Sequence, residues 1–427
     1  MIGGFYLVLA FVFLTHTRLA ELVIPGLRLQ LILAIGALVL ALMSGTVVRA
    51  LKSRVGVCFL LLTLWFYLGV PFSVNRMASL SYINENWLKS CGLFIMVLAL
   101  VNTRRELSRL STTVALGSTV MAVTALVMGP PEQDRLMVDA TSLNDPNLLG
   151  MTLLIGVPLW MVVIGDRSRF LLSRLIAVLC VVPLVVAIAL TGSRGTLVAA
   201  VILVGFLMKR FSIGGKVSLV LVVALVAVMS VTYLAENLLE RYTTVADPGR
   251  IQTTASTESR TYLFKQGLRL VARYPIFGVG LGNFAWAENI LAQDQGQRRG
   301  AWHTCHNMYI EVASEAGLPA FLVYMAILLT VWKSLGRLEK VTPEEHPKAA
   351  QIARLSFWLK VSLLAYCTCG LFLSCGLSHT FVIMISLCVA WTRVVHYEMH
   401  QLEQENSEQP VAAASGALVA PALVREL

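Results

Sequence analysis

Charge is what this sequence has least of. Only 14% of its 427 residues are charged, against 57% apolar, and mean hydropathy is +0.75. That excludes an ordinary soluble domain, in which about a quarter of the residues carry charge. A phosphate loop of the form G-x-x-x-x-G-K-[ST] is also missing, so the sequence offers no support for ATP chemistry. The eight cysteines show no metal-ligand spacing and lie mostly inside apolar runs, where they read as small packing residues. No basic stretch precedes the first apolar run and no cleavage site follows it, so the N-terminus reads as an uncleaved span. The two halves show no internal repeat. The formal net charge of +10 does not point to nucleic acid, because the basic residues lie between apolar runs and not on one face.

Apolar segments fall near 2–14, 29–43, 55–71, 87–101, 111–129, 147–165, 171–190, 196–208, 216–235, 307–332, 356–374 and 377–395. A hydrocarbon core about 30 Å thick accounts for their recurrence. The expected fold is an all-α polytopic membrane protein with about twelve transmembrane helices. Basic residues alternate between the connections. One set is rich in them (Arg49, Lys52 and Arg54; Arg104, Arg105 and Arg109; Arg167, Arg169 and Arg174; Lys209, Arg210 and Lys216). The 333–355 linker belongs to the same set, with Lys333, Arg337, Lys340, Lys348 and Arg354. The other connections carry only Arg18 and Arg28, Arg76, Arg135 and Arg194. The positive-inside rule makes the rich set and both termini cytoplasmic. Spans one to nine then occupy 1–235 and a large periplasmic loop with an amphipathic helix fills 236–306. Spans ten to twelve occupy 307–395, and 396–427 form an unstructured cytoplasmic tail.

Unusual polar residues collect on the outward side, in three places. "TGSRG", 191–195, turns the chain between two spans and leaves Arg194 at the interface, either anchoring a helix end or meeting a ligand. In "ESRTYLFKQGLRLVAR", helical winding places Leu263, Phe264, Gly267, Leu268, Leu270 and Val271 on one stripe. Lys265, Arg269 and Arg273 fall opposite, whereas Arg260 falls within the apolar stripe. An inward guanidinium needs an anion, which is either an internal glutamate or a ligand. The third is "HTCHNMYIEVASEAGLP". If a helix begins near His306, its positive end favours a neutral imidazole able to accept a proton. Glu311 and Glu315 point away from that imidazole and are expected to pair with basic groups. Two arginines and a histidine from separate outward segments suit an anionic substrate whose hydroxyl partner must lose a proton.

At "TGSRG", "SRTYLF…YPIFGVGLGNF" and "HNMYIEVASEAGLPAF" the chain resembles the O-antigen ligase family, within the wider superfamily of ligases and polymerases of lipid-linked glycans. The resemblance implies about twelve spans and a large periplasmic loop before the histidine. It implies transfer of a glycan from undecaprenyl pyrophosphate to the lipid A–core acceptor, with no metal, nucleotide or other cofactor. The family's essential arginines fall on Arg194 and Arg260 as pyrophosphate ligands, and its essential histidine on His306 as the catalytic base. His303, Asn307 and Glu315 are supporting candidates. The implied location is the bacterial inner membrane, with the site facing the periplasm and membrane lipids as surroundings. A polymerase of the same superfamily and a lipid-linked sugar transporter are the rival readings; the short 130–145 connection and the one-sided polar residues count against them.

Overall fold

The computed structural model describes residues 2–23, 29–129, 136–138, 145–217, 253–295 and 304–416, with a few more between 219 and 232. The protein is all-helical, 81% helix, with no strand among the described residues. Its first helices are α1 (Ile2–Thr17), α2 (Leu19–Val23), α3 (Leu29–Met43), α4 (Val47–Leu51), α5 (Arg54–Gly69), α6 (Arg76–Tyr82), α7 (Leu88–Leu100) and α8 (Arg104–Met128). Then come α9 (Pro146–Ile164), α10 (Leu171–Leu190), α11 (Arg194–Met208), α12 (Thr253–Arg273), α13 (Phe284–Asp294), α14 (Met308–Leu338), α15 (Ala349–Cys369) and α16 (His379–Gly416).

Seven of the described helices, not twelve, have the length and hydropathy of a span: Arg54–Phe72, Arg104–Met128, Pro146–Ile164, Leu171–Leu190, Met308–Leu338, Ala349–Cys369 and His379–Gln404. Each coincides with an expected segment. The expected segments at 2–14, 29–43, 87–101 and 196–208 are helices of 13 to 16 residues. Most of the 216–235 segment lies outside the described residues, as do 236–252 and His303. The last helix runs on to Gly416, so the expected unstructured tail is helical over 396–416.

Local sequence explains where helices start. Thr103 and Glu106 form a reciprocal capping box on α8, Asp145 caps α9 with Pro146 in its first turn, and Ser193 caps α11. Helix α9 is the centre of the bundle, 78% of its spanning window being buried between α8, α10, α11 and α15. Gly150 and Gly156 let it be central: a Cβ there would lie 2.5 Å from Thr196 Oγ1 and from Ser118 Cβ respectively. Small residues at helix interfaces are how apolar helices pack when lipid competes with them for apolar contact.

One end of the bundle is held by ion pairs. Arg104 meets Glu398 at 2.7 Å, Arg354 meets Asp166 at 2.9 Å, and Glu339 takes both Lys360 and Arg210 at 3.1 and 3.2 Å. These arginines belong to the basic-rich connections, so several of those charges tie helices to one another. The candidate site lies at the opposite end, where α9, α11, α14 and α16 begin.

Candidate functional site

The site is organised by a break in α14. Gly317 has φ +82°, outside the helical range, and Pro319 follows it, removing a backbone donor. The carbonyls so freed are all taken by distant groups. Val279 N–H donates to Ser314 O at 2.8 Å, Gly280 N–H to Glu315 O at 2.9 Å, and Trp65 Nε1 to Ala316 O at 3.0 Å. Leu318 N–H in turn reaches Pro275 O at 2.8 Å. The 275–283 loop, "PIFGVGLGN", is therefore threaded backbone to backbone along the break. Any Cβ on Gly317 would collide with Ile276 O.

Glu315 completes this junction. It is buried, and its carboxylate accepts the N–H groups of Gly282 at 2.8 Å and Phe284 at 3.0 Å, at the start of α13. Glu311, one turn earlier, accepts Gly376 N–H at 3.0 Å. The expectation that these glutamates pair with basic side chains is thus corrected. Their carboxylates take backbone amides instead, because both glutamates face loops that fold over the helix and not charged helix surfaces.

His306 does not sit in the first helical turn. Asn307 is the N-cap, its Oδ1 accepting the N–H groups of Tyr309 and Ile310, both at 3.0 Å, and helix begins at Met308. His306 precedes the cap in a left-handed conformation, φ +52°, uncommon for a residue with a side chain. It is held there by contacts to the 370–378 loop. His306 N–H donates to Ser374 Oγ at 2.8 Å, Met308 N–H to Gly370 O at 2.8 Å, and Asn307 Nδ2 to Leu371 O at 3.1 Å. Since the helix-start amides are already engaged by Asn307 and Gly370, the expected effect of the helix end on the imidazole loses its geometric basis.

Arg194 opens α11 with an exposed side chain. Its turn is fixed from beneath: Ser193 Oγ donates to Asn147 Oδ1 at 2.8 Å, tying the turn to the start of α9. Gly195 sits against the same 370–378 loop, where a Cβ would come 2.8 Å from Phe372 Cβ. One loop thus touches both the Arg194 turn and the His306 backbone.

Helix α12 brings the other arginine. Its buried face is Leu263, Gln266, Gly267 and Leu270; Phe264 and Leu268 are exposed, so the expected stripe is rotated by part of a turn. Arg260 stays on the inner line, half-buried, while Arg269 is exposed and bonds Gln266 and Gln295. The helix packs on α14 at Gly267, where a Cβ would strike Ile310 and approach Cys305 Sγ at 3.6 Å. Arg260 lies seven residues, about 10 Å, along the same face. Of the residues expected from sequence, the structure therefore brings Arg194, His306 and Asn307 to one loop, and Arg260 to a helix packed on α14. His303 lies outside the described residues. Among the described residues no three His, Cys, Asp or Glu side chains form a group able to hold a metal ion.

Ser374 was not legible beforehand. It sits in "LFLSCGLS" with nothing local to mark it, and its role exists only because two distant segments meet. No curated protein matches the chain. Residues 179–325, which run from within α10 through the Arg194 turn, α12, the 275–283 loop and His306 into α14, match the family described as O-antigen ligase. Over that stretch, which holds Arg194, Arg260 and His306, this multi-pass helical protein is similar to the O-antigen ligase family.

Proposed function

We propose that the protein transfers a glycan from undecaprenyl pyrophosphate to the sugar core of lipid A at the periplasmic face of the bacterial inner membrane. The observation that carries this reading is the 370–378 loop, which touches the Arg194 turn through Phe372 and holds His306 through Ser374. Arg194 and Arg260 bind the pyrophosphate, since guanidinium forks match phosphate oxygens, and they stabilise the charge that grows there as the glycosidic bond breaks. His306 accepts the proton of the acceptor hydroxyl. That oxygen attacks the anomeric carbon from the face opposite the leaving pyrophosphate, so one C–O bond forms as another breaks and the configuration inverts. The activated bond of the donor supplies the driving force, and no nucleotide enters the scheme.

The basic-rich connections support the orientation. They lie at the ion-paired end of the bundle, which this reading makes cytoplasmic together with both termini. The decisive test is purified protein in nanodiscs with lipid-linked donor and lipid A–core. Ligated product supports the reading. Lengthened lipid-linked donor would make the protein a polymerase instead, and donor consumed in neither way would point to transport or to another acceptor.

A further inference from the structure

A cavity of ≈ 200 Å³ lies at the same end of the bundle, between the end of α1, the α6–α7 junction, the first turns of α9 and the start of α16. Leu377 and Ser378 line it, so it shares the 370–378 loop with the Arg194 turn and His306. Tyr82, also on its wall, packs against the loop that Glu315 holds: a Cβ on Gly282 would lie 3.0 Å from Tyr82 Cδ2.

Three irregularities converge on this cavity. Arg18 is left-handed at φ +56°, a conformation that residues with side chains adopt where surrounding structure imposes it. Ile83–Trp87, which carries Asn86 into the wall, is a π-helical turn, a feature enriched at functional sites. Thr15 is 7% exposed and its hydroxyl has no hydrogen-bond partner, although an orphaned buried hydroxyl is costly.

The chemistry of the wall selects among ligands. His16 engages Ser118 Oγ through Nε2, and His379 engages Ser90 Oγ through Nδ1, both at 2.9 Å. That leaves His16 Nδ1 and His379 Nε2 for other partners. With Thr15, Asn86 and Thr380 they make a wall that both donates and accepts hydrogen bonds. Phosphate oxygens only accept, and would call for donors alone. The cation on the wall, Arg18, is already paired with Glu21 at 2.7 Å. Sugar hydroxyls donate and accept together, which matches. The volume is below the roughly 300–1,000 Å³ typical of sites for larger ligands, and so suits one ring.

We propose that this cavity is a subsite for a single sugar ring of a glycan substrate, resting on the transferase reading above. The ring comes either from the lipid-linked donor or from the lipid A–core acceptor, and kinetics separate the two. Thr15→Val with Asn86→Leu removes two polar partners without adding bulk. The double variant should raise KM about tenfold for one substrate, with kcat within about twofold and KM for the other unchanged. The substrate affected identifies the source of the ring. Unchanged KM values for both, in a variant that transfers normally, overturn the subsite and leave the transferase reading intact.

A wild-type measurement removes dependence on the folding of the variant. Diethyl pyrocarbonate labels accessible imidazole nitrogens, and lipid-free core oligosaccharide or released donor glycan serves as the probe. A bound ring should slow labelling at His379 at least about fivefold and leave His396, about 25 Å further along the same helix, unchanged. Protection at His379 in a protein that shows no transfer would sink the transferase reading and keep the subsite. Equal labelling of both histidines with and without either glycan means the cavity holds water only, and the proposal fails.

Discussion

Replacing Glu315 by Gln isolates what its carboxylate does for the 275–283 loop. Each oxygen accepts one backbone N–H, Oε2 from Gly282 at 2.8 Å and Oε1 from Phe284 at 3.0 Å. Glutamine keeps one carbonyl oxygen and turns an NH2 toward the other N–H, donor against donor. One bond of a kind worth about 1.5–3 kcal/mol is lost, and at 7% exposure water does not readily replace it. At about 1.4 kcal/mol per factor of ten, local opening at that amide should become about 10- to 150-fold more frequent. Glu315→Ala loses both bonds and should roughly square the effect. Val279 and Gly280 still donate to main-chain carbonyls of α14, so the loop stays attached and the change is confined to its end. Hydrogen exchange followed by mass spectrometry, on protein in nanodiscs, reads this directly. Peptides spanning 281–286 should exchange faster in Glu315→Gln, and peptides spanning 262–271 should not. If exchange over 281–286 stays within about twofold of wild type, the carboxylate is not what anchors the start of α13.

Further outcomes test the site. Arg260→Ala should reduce transfer by about 10²–10³, the scale for losing one donor to a developing charge, whereas exposed Arg269→Ala should keep most of it; equal activities at matched protein levels would refute the placement of Arg260. His306→Ala should remove most transfer yet leave donor binding measurable; loss of donor binding as complete as in Arg260→Ala would make His306 a phosphate ligand. Ser374→Ala removes the acceptor of His306 N–H and should lower kcat about tenfold through a misplaced imidazole while donor KM holds, and an unchanged kcat would show that the loop does not position it. In a cysteine-free background, a membrane-impermeant thiol reagent applied from the periplasm should label Gln295→Cys and spare Glu344→Cys. The reverse pattern would put donor and site on opposite faces.

Much of the fold was legible because hydropathy and capping are local. All seven long spans coincide with apolar runs, and Thr103, Asp145 and Ser193 mark helix starts that need only a few neighbouring residues to be recognised. The short helices at 29–43 and 88–100 show the limit of that logic: an apolar run reveals that a segment is buried or in lipid, but not that it is long enough to cross. Arg260 on the inner side of α12 also followed from winding a helix. Phe264 and Leu268 did not, since which edge of an apolar stripe is covered depends on the partner helix, and α14 covers the Gly267 side.

What the sequence by itself determined is the helical class, the position of the spans and the chemical kinds of residue gathered near helix starts, all of them consequences of short-range pattern. Tertiary structure alone decided that His306 lies before its helix and is fixed by Ser374, 68 residues away. It decided too that Glu311 and Glu315 accept loop amides, and that Thr15, Tyr82 and His379 share one cavity. The physical reason is that a buried backbone amide or a freed helix carbonyl must find a partner, and it takes whichever group the packing of distant helices brings within hydrogen-bonding reach.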